Sequence, residues 1–443
     1  MNKSRAILVF IILVCIGIVL YHFIGVQSVL IYISVLIIFE VLTKALIYRL
    51  RKESPLFLTP EDRAPTLSKE GLRKFATIGY DPELGWVRKP GTSKKEKGKQ
   101  HPTSYSINAK GARRNPGHED LPVTISCYGD SFAFARQVND NETWEWFLST
   151  LTKSNVLNFG VGNYGFDQSL LRLEREFSSN LSKIVVMGVV PSTIVRIMST
   201  WKHYHEYGNT FGFKPQFQLK EGELVLHKNP IDTMEKYENY VTHLPAIQQR
   251  DYFYEHKFQH EMNEFPYLLS VLSSPLRMIP LLGVFSGKML FGKYRSLKKR
   301  EKVTQSTIPS TQNTTLERLQ ELKLRFSTPS KVTLFRTKEA TDLLTALVAR
   351  FTTFCENHDA TPLILWMPQK DDLIYIKRHG VFYQQWLNHI KSTCTIADLT
   401  EPLRSHKDVS KIFTNDNADG GHYSVEGNKL VADVVYEKVK SLL

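Results

Sequence analysis

The 443-residue sequence predicts an α/β chain: a doubly wound parallel sheet interrupted by an insertion and preceded by an N-terminal transmembrane helical hairpin. Three features predict it. Two long apolar runs stand at the N-terminus; short β-type apolar segments then alternate with stretches of helical character; the alternation stops near residue 201 and resumes near 333. Hydrophobic residues at 42% and charged residues at 23% make a globular balance and exclude a wholly disordered chain. Basic residues outnumber acidic ones by 57 to 44, a net +13, so the position of that charge has to separate nucleic acid, an anionic membrane face and an acidic substrate as its target. Four cysteines (Cys15, Cys127, Cys355, Cys394) without a CxxC pair indicate neither a disulfide framework nor a zinc ribbon.

The hairpin is expected over residues 1–52. Ala6 to Ile24 is free of formal charge over 19 residues, about 28 Å as a helix, which matches a hydrocarbon core of about 30 Å. It is longer than the apolar core of a signal peptide and lacks a small-residue cleavage site. After a break at Gly25, Gln27 and Ser28, a second run extends from Val29 to Tyr48, interrupted by Glu40 and Lys44, which are four apart and can pair on one helix face. Lys3 and Arg5 precede the first run, and Arg49, Arg51 and Lys52 follow the second, while the connection has no positive residue. Both ends are therefore expected on the cytoplasmic side of a cell (inner) membrane. If the second run does not span, the body faces the periplasm or exterior.

Residues 53–122 form a Pro-, Gly- and Lys-rich lead-in of short strands and turns, with Arg88, Lys89, Lys94, Lys95, Lys97, Lys99, Lys110, Arg113 and Arg114. A solvated loop is one reading of this charge; contact with lipid phosphates or an anionic substrate is the other. The first half of the sheet domain, 123–200, carries strands at Val123–Tyr128, Asn155–Phe159 and Lys183–Val190, each followed by a helical stretch. The second half, 333–443, carries a helix near Lys338–Asn357, a strand at Pro362–Met367, a helix near Leu373–Ile390, a strand at Thr395–Leu399 and a last helix from Ser424. The insertion, 201–332, has aromatic clusters, a hairpin around Glu221–Leu226 and a polar linker from Thr304 to Thr315. Its apolar stretch from Phe265 to Phe291 runs into Lys293, Arg295, Lys298, Lys299, Arg300 and Lys302. An interfacial helix on anionic lipid and a buried helix with a solvated basic linker both fit that composition.

Gly129-Asp130-Ser131-Phe132 places a serine at the carboxyl end of the first strand, where open α/β sheets build their sites. Asp419-Gly420-Gly421-His422 stands just before the last helix. A serine nucleophile needs a neighbouring base, and an imidazole needs an acceptor that fixes its tautomer; Ser131, His422 and Asp419 supply the three roles. Simpler readings are available for each: Ser131 as a helix N-cap, His422 as a surface residue, Asp419 as a turn residue. The pairs His203/His205 and His256/His260 lack the companions of a metal site. No phosphate-binding glycine motif and no nucleic-acid-binding module accompany the charge.

With these two blocks the chain resembles the SGNH, or GDSL-type, hydrolase superfamily over roughly Tyr80 to Leu443 apart from the insertion. Asn158-Phe159-Gly160-Val161-Gly162-Asn163-Tyr164-Gly165-Phe166-Asp167-Gln168 looks like the family's second block, though Asn158, Gly160 and Gly165 could serve only a tight strand-to-helix turn. Tyr80-Asp81-Pro82-Glu83-Leu84-Gly85-Trp86 and Ile107-Asn108-Ala109-Lys110-Gly111 look like the lead-in of bacterial members. The resemblance implies a flavodoxin-like three-layer sandwich, ester hydrolysis or acyl transfer through an acyl-serine, and no cofactor or metal. It also implies an oxyanion hole from the N–H of Ser131 and of Gly162 or Asn163. The third block departs from the family: where an Asn is usual, Gly188-Val189-Val190-Pro191-Ser192 offers Ser192, so one oxyanion donor is missing or replaced by a hydroxyl.

The sequence thus reads as a membrane-anchored serine esterase acting on glycan O-acyl or lipid esters, with the lipid bilayer as partner and no nucleic acid. An O-acyltransferase of polysaccharide modification is the alternative acceptor chemistry. An inactive binding or scaffold module on a hydrolase fold is the alternative class.

Overall fold

The computed structural model describes residues 3–283, 330–415 and 420–443, which divide into two compact units. One holds residues 3–67, 202–210 and 248–283; the other holds 68–201, 211–247, 330–415 and 420–443. The segment expected as a single insertion is shared between them.

In the first unit, α1 (Lys3–Ile24) and α2 (Val26–Arg51) are joined by Gly25 alone. Gly25 has φ 95°, a left-handed value that favours glycine, and its N–H bonds Tyr21 O at 3.1 Å, which closes α1. The break is one residue long because Ser28 stays within the first turn of α2. Its hydroxyl lies 2.7 Å from Gly25 O and 3.1 Å from Leu20 O. Tyr32 donates to Leu13 O at 3.1 Å, so the two helices run antiparallel as a hairpin. Each is long and apolar enough to cross a membrane.

Glu40 and Lys44 do not pair as expected. The Glu40 carboxylate accepts the N–H groups of Tyr267 (2.6 Å) and Leu268 (2.8 Å) at the start of the helix Tyr267–Ser273. First-turn N–H groups have no partner within their own helix and form the positive end of its dipole, so they attract a carboxylate more than a solvated lysine does. Lys44 Nζ stands 5.9 Å from the ring centroids of both Tyr48 and Tyr267. Around this joint, Arg51 forks onto Asp62 through two 3.0 Å bonds, and Arg277 donates to Leu56 O at 2.6 Å. The stretch expected from Phe265 to Phe291 is helical over Tyr267–Ser273 and again over 275–283; its remainder, the basic run to Lys302 and the linker Thr304–Thr315 lie outside the described residues.

The second unit is built on five parallel strands: β1 (Val123–Gly129), β2 (Asn155–Asn158), β3 (Ile184–Val189), β4 (Thr361–Trp366) and β5 (Thr395–Asp398). Their order across the sheet is β2-β1-β3-β4-β5, the doubly wound order in which the first crossover goes one way and the rest the other. Every residue of β2 and β3 is buried, as expected for interior or covered strands of a parallel sheet. On one face, Ile125, Cys127, Val156, Val186 and Leu365 pack with Trp144 and Leu148 of the helix Trp144–Thr152 and with Val431, Val435 and Val439 of the helix Val425–Val439. The helices Phe166–Glu176 and Lys338–Glu356 form the other layer, linked by Arg350 forking onto Glu174 at 2.7 and 2.9 Å.

Two expectations need correction. The helix expected from Leu373 to Ile390 is two helices, Lys370–His379 and Gln384–Ile390, because Gly380 at φ 80° ends the first one. No regular helix follows β1 directly: the chain turns through residues 131–137, with Ala135 and Gln137 at φ 55° and 68°, and the helix begins only at Trp144. The hairpin near Glu221 pairs Gln216–Lys220 with Glu223–His227 across a two-residue turn, Glu221-Gly222, both at positive φ. In the basic lead-in, Ser93–Lys97 pairs antiparallel with Pro102–Ser106 and leaves Lys94, Lys95 and Lys97 exposed, while Arg113 is buried.

Candidate active site

The carboxyl edge of the sheet starts from a glycine that admits no substitute. Gly129 ends β1 at φ 152°, and a Cβ there would lie 2.0 Å from Gly188 O on the neighbouring strand β3. Asp130 follows, 1% exposed; its Oδ1 accepts Phe132 N at 2.7 Å and its Oδ2 accepts Arg196 Nη1 at 2.6 Å. The same Arg196 nitrogen donates to Tyr164 O at 2.9 Å, tying the serine turn to the second block. Ser131 therefore sits on a turn braced from both sides. It caps no helix, which removes the simplest alternative reading of this serine.

The structure brings Ser131 and His422 together: Oγ and Nε2 are 2.9 Å apart, although 291 positions separate them. His422 is carried by the loop before the C-terminal helix, whose N-cap Ser424 accepts Gly427 N at 3.2 Å, and Thr414 N bonds His422 O at 2.8 Å. Asp419 lies outside the described residues. Gln137 stands at the other imidazole nitrogen, with Oε1 2.8 Å from Nδ1.

The orientation of that amide follows from its neighbours. Oε1 receives the backbone N–H of His422 at 3.0 Å, a group that can only donate, and the hydroxyl of Thr414 at 2.9 Å, while Nε2 donates to Lys97 O at 3.2 Å. With oxygen facing Nδ1, Nδ1 carries the proton and Nε2 is left as an acceptor for the serine hydroxyl. That is the tautomer a general base requires. Gln137 was missed from the sequence because it belongs to no motif; its backbone N–H, held by Glu96 Oε2 at 3.0 Å, and its left-handed φ place it.

Charge around the pair is arranged in guanidinium–carboxylate couples. Arg136 donates to Glu96 at 2.8 and 2.5 Å, and Arg196 to Asp130, while Arg88 stands nearby. Burial first, then Arg136, Arg196 and Arg88 against the opposing pull of Glu96, push His422 down to about 3. The imidazole is thus held neutral at physiological pH.

The second block lies against Ser131. Gly160 lies so close to the Phe134 backbone that a Cβ would stand 2.4 Å from Phe134 N, and Asn158 Oδ1 accepts Gly160 N at 2.9 Å; these two serve the turn itself. Gly165 has the same character, since a Cβ there would meet Asp167 Oδ1 at 2.4 Å. Gly162 differs: a Cβ there would stand 4.0 Å from Ser131 Cβ. Its carbonyl accepts Trp86 Nε1 at 3.0 Å, and Tyr164 N closes the turn onto Val161 O at 3.2 Å with Asn163 at φ 68°. The backbone N–H groups of Ser131, Gly162 and Asn163 have no acceptor among the described residues. Ser192 is otherwise engaged; its hydroxyl donates to Gln369 Oε1 at 2.6 Å. Of the paired histidines, His203 accepts Gly208 N at Nδ1 (3.1 Å) and His256 Nδ1 lies 2.9 Å from Tyr252 O.

No family model matches the sequence, and no curated protein does. Among solved structures, the chain is similar to a protein from Desulfitobacterium hafniense DCB-2 assigned to the G-D-S-L family of lipolytic proteins: 10% identity over 71% of this chain and 98% of that one, TM-score 0.31. It is also similar to the lipase/acylhydrolase from Enterococcus faecalis: 9% identity over 72% of this chain and 97% of that one, TM-score 0.29. The chain itself has a doubly wound, parallel α/β fold with its serine and histidine blocks meeting at the carboxyl edge of the sheet, the arrangement that the resemblance to SGNH, or GDSL-type, hydrolases leads one to expect.

Proposed function

We propose that this chain is a membrane-anchored serine esterase that cleaves an acyl ester, on a glycan or a lipid, through an acyl-serine. The observation that carries the reading is the 2.9 Å contact between Ser131 Oγ and the acceptor nitrogen of His422. Ser131 Oγ attacks the ester carbonyl carbon as its proton moves to Nε2, and the carbonyl electrons go onto oxygen. The unpaired N–H groups of Ser131 and of Gly162 or Asn163 receive that oxyanion. Collapse expels the alcohol, which takes the proton from Nε2. Water then attacks the acyl-serine, gives its proton to Nε2, and the carboxylic acid leaves as Oγ regains it. Gln137 orients the imidazole from Nδ1, and Asp419, outside the described residues, is the carboxylate that would stabilise the imidazolium in this reading.

Reaction of the full-length, detergent-solubilised protein with a fluorophosphonate probe tests this reading. Labelling that is lost in Ser131→Ala is the expected result. Neither labelling nor turnover across a broad panel of esters would leave a binding module on a hydrolase fold in its place. Adding sugar acceptors to the same assay separates acyl transfer from hydrolysis.

The hairpin is the anchor in this reading, with both termini and the catalytic unit cytoplasmic. Positive residues flank its outer ends, and the one carboxylate within α2, Glu40, has its hydrogen bonds satisfied by Tyr267 and Leu268, which lowers the penalty of placing it near the bilayer. A fluorescent reporter that matures only in the cytoplasm, fused after Leu443, is expected to glow. Alkaline phosphatase activity from a fusion at the same point, with no fluorescence, would reverse the orientation.

A further inference from the structure

We infer that Arg88 binds an anionic group, a carboxylate or phosphate, carried by the substrate close to its reacting ester. The inference rests on the esterase reading for the identity of the ligand as a substrate, and on Arg88 itself for the charge.

The guanidinium is held by Phe134 and Tyr105, and its remaining edge is buried with no hydrogen-bond acceptor among the described residues. It stacks on the Phe134 ring, with Cζ 3.7 Å from the centroid, and lies 4.7 Å from that of Tyr105; Nη1 donates to the Tyr105 hydroxyl. The opposite edge, Nε with Nη2, is the one that grips carboxylates side-on in this same chain, in Arg51–Asp62 and Arg350–Glu174. In Arg88 that edge bonds nothing among the described residues. Nε is buried without a partner, a state that costs free energy unless an acceptor arrives.

Neighbouring carboxylates are already committed. Glu96 takes Arg136 and Gln137 N, Asp130 takes Arg196, and Asp140 takes Arg113. Among the described residues Arg88 is thus a cation of this group with no carboxylate bonded to it, and although burial, with Arg136 and Arg113 adding against the pull of Tyr105 and Glu96, pushes it down to about 10, it stays charged at neutral pH.

Its free end faces the reacting serine across a glycine. The position a Cβ would take on Gly162 is 3.7 Å from Arg88 Nη2 and 4.0 Å from Ser131 Cβ. With no side chain there, one substrate can touch both the nucleophile and the guanidinium. A planar fork with fixed donors and no competing carboxylate selects a planar or tetrahedral oxyanion rather than a neutral hydroxyl.

The test compares three acetyl esters of one shape on the full-length protein in detergent: 3-acetoxybenzoate, 3-acetoxyphenyl phosphate and the neutral 3-acetoxybenzamide. Wild type is expected to show a kcat/KM at least tenfold higher for one of the anions than for the amide, carried mainly by KM, and the anion favoured distinguishes carboxylate from phosphate. In Arg88→Gln that ratio should fall to near one, and in Arg88→Lys, which keeps the charge without the fork, it should fall part of the way. Calorimetric binding of the same three compounds to Ser131→Ala, with and without Arg88→Gln, reads the preference without any turnover. Absence of turnover with a retained, Arg88-dependent binding preference would sink the esterase reading and keep the anion site. Equal binding of anion and amide, or a preference unchanged in a folded Arg88→Gln protein, would overturn the anion site itself.

Discussion

Ser131→Ala is expected to lower kcat/KM for short-chain esters by about 1,000-fold or more, which is about 4 kcal/mol of transition-state stabilisation, with folding unchanged. His422→Ala should do the same, because a serine hydroxyl 2.9 Å from no base keeps its proton. Their double variant should lose little more, since the two act as one unit. Gln137→Leu should cost less, about 10- to 100-fold, because the imidazole remains but loses an acceptor that fixes which nitrogen faces the serine. The pH profile adds a sign. His422 must be neutral to accept the proton, and its pKa lies far below the usual value, so kcat/KM should hold level as pH falls to about 5 and drop only as pH approaches the folded-state pKa. A profile with its acid limb near pH 6.5, the ordinary histidine range, would contradict the enclosed, guanidinium-flanked imidazole described above. Equal activity of Ser131→Ala and wild type would remove the nucleophile altogether.

The second large effect falls on stability. Arg113, 2% exposed, uses all three of its guanidinium nitrogens: Nε on Asp140 at 2.8 Å, Nη1 on Phe134 O and Ala135 O at 2.9 and 2.6 Å, and Nη2 on Val138 O at 2.7 Å. It thereby ties down the turn that carries Ser131 and Gln137, a stretch with no helical ladder of its own. Arg113→Ala strands three buried carbonyls and leaves the Asp140 carboxylate to Ser106 alone, so a loss of about 3–5 kcal/mol is expected, a fall in thermal midpoint on the order of 10 °C for a unit of this size. Arg113→Lys should fall between, keeping the charge but at most part of the fork. Thermal unfolding of the solubilised protein checks it; a midpoint within about 2 °C of wild type would show that the turn is held by something else.

Strands were the most legible part of the chain because each is a short apolar run between turn residues, and a strand in a parallel sheet is buried on both faces. Helix boundaries were less so, since Gly380 reads as one glycine within an amphipathic stretch until its backbone is seen at φ 80°. Ser131 and His422 could be picked out because their blocks occur in a recognisable order at the two ends of the sheet domain. Gln137 could not, as its part depends on an amide turned by Lys97 O and the His422 N–H, contacts between segments far apart in sequence. The lead-in shows the same limit from the side of charge. Composition counts Arg88, Arg113 and Lys95 alike, whereas packing buries Arg113, stacks Arg88 on Phe134 and leaves Lys95 in solvent. Glu40 was read against Lys44 because they are four residues apart; its partners are 227 and 228 residues away.

That last contact bears on how the protein can be handled. Glu40, Lys44 and Tyr48 on α2 meet the start of the helix Tyr267–Ser273, and Arg51 reaches Asp62, so the hairpin is woven into its unit rather than appended to it. Trimming the chain before Glu53 to obtain a detergent-free sample would strip Tyr267 and Leu268 of their carboxylate and lay bare the apolar surface that Ile47 and Leu50 now bury. Purification with the hairpin attached is the route that keeps this unit whole.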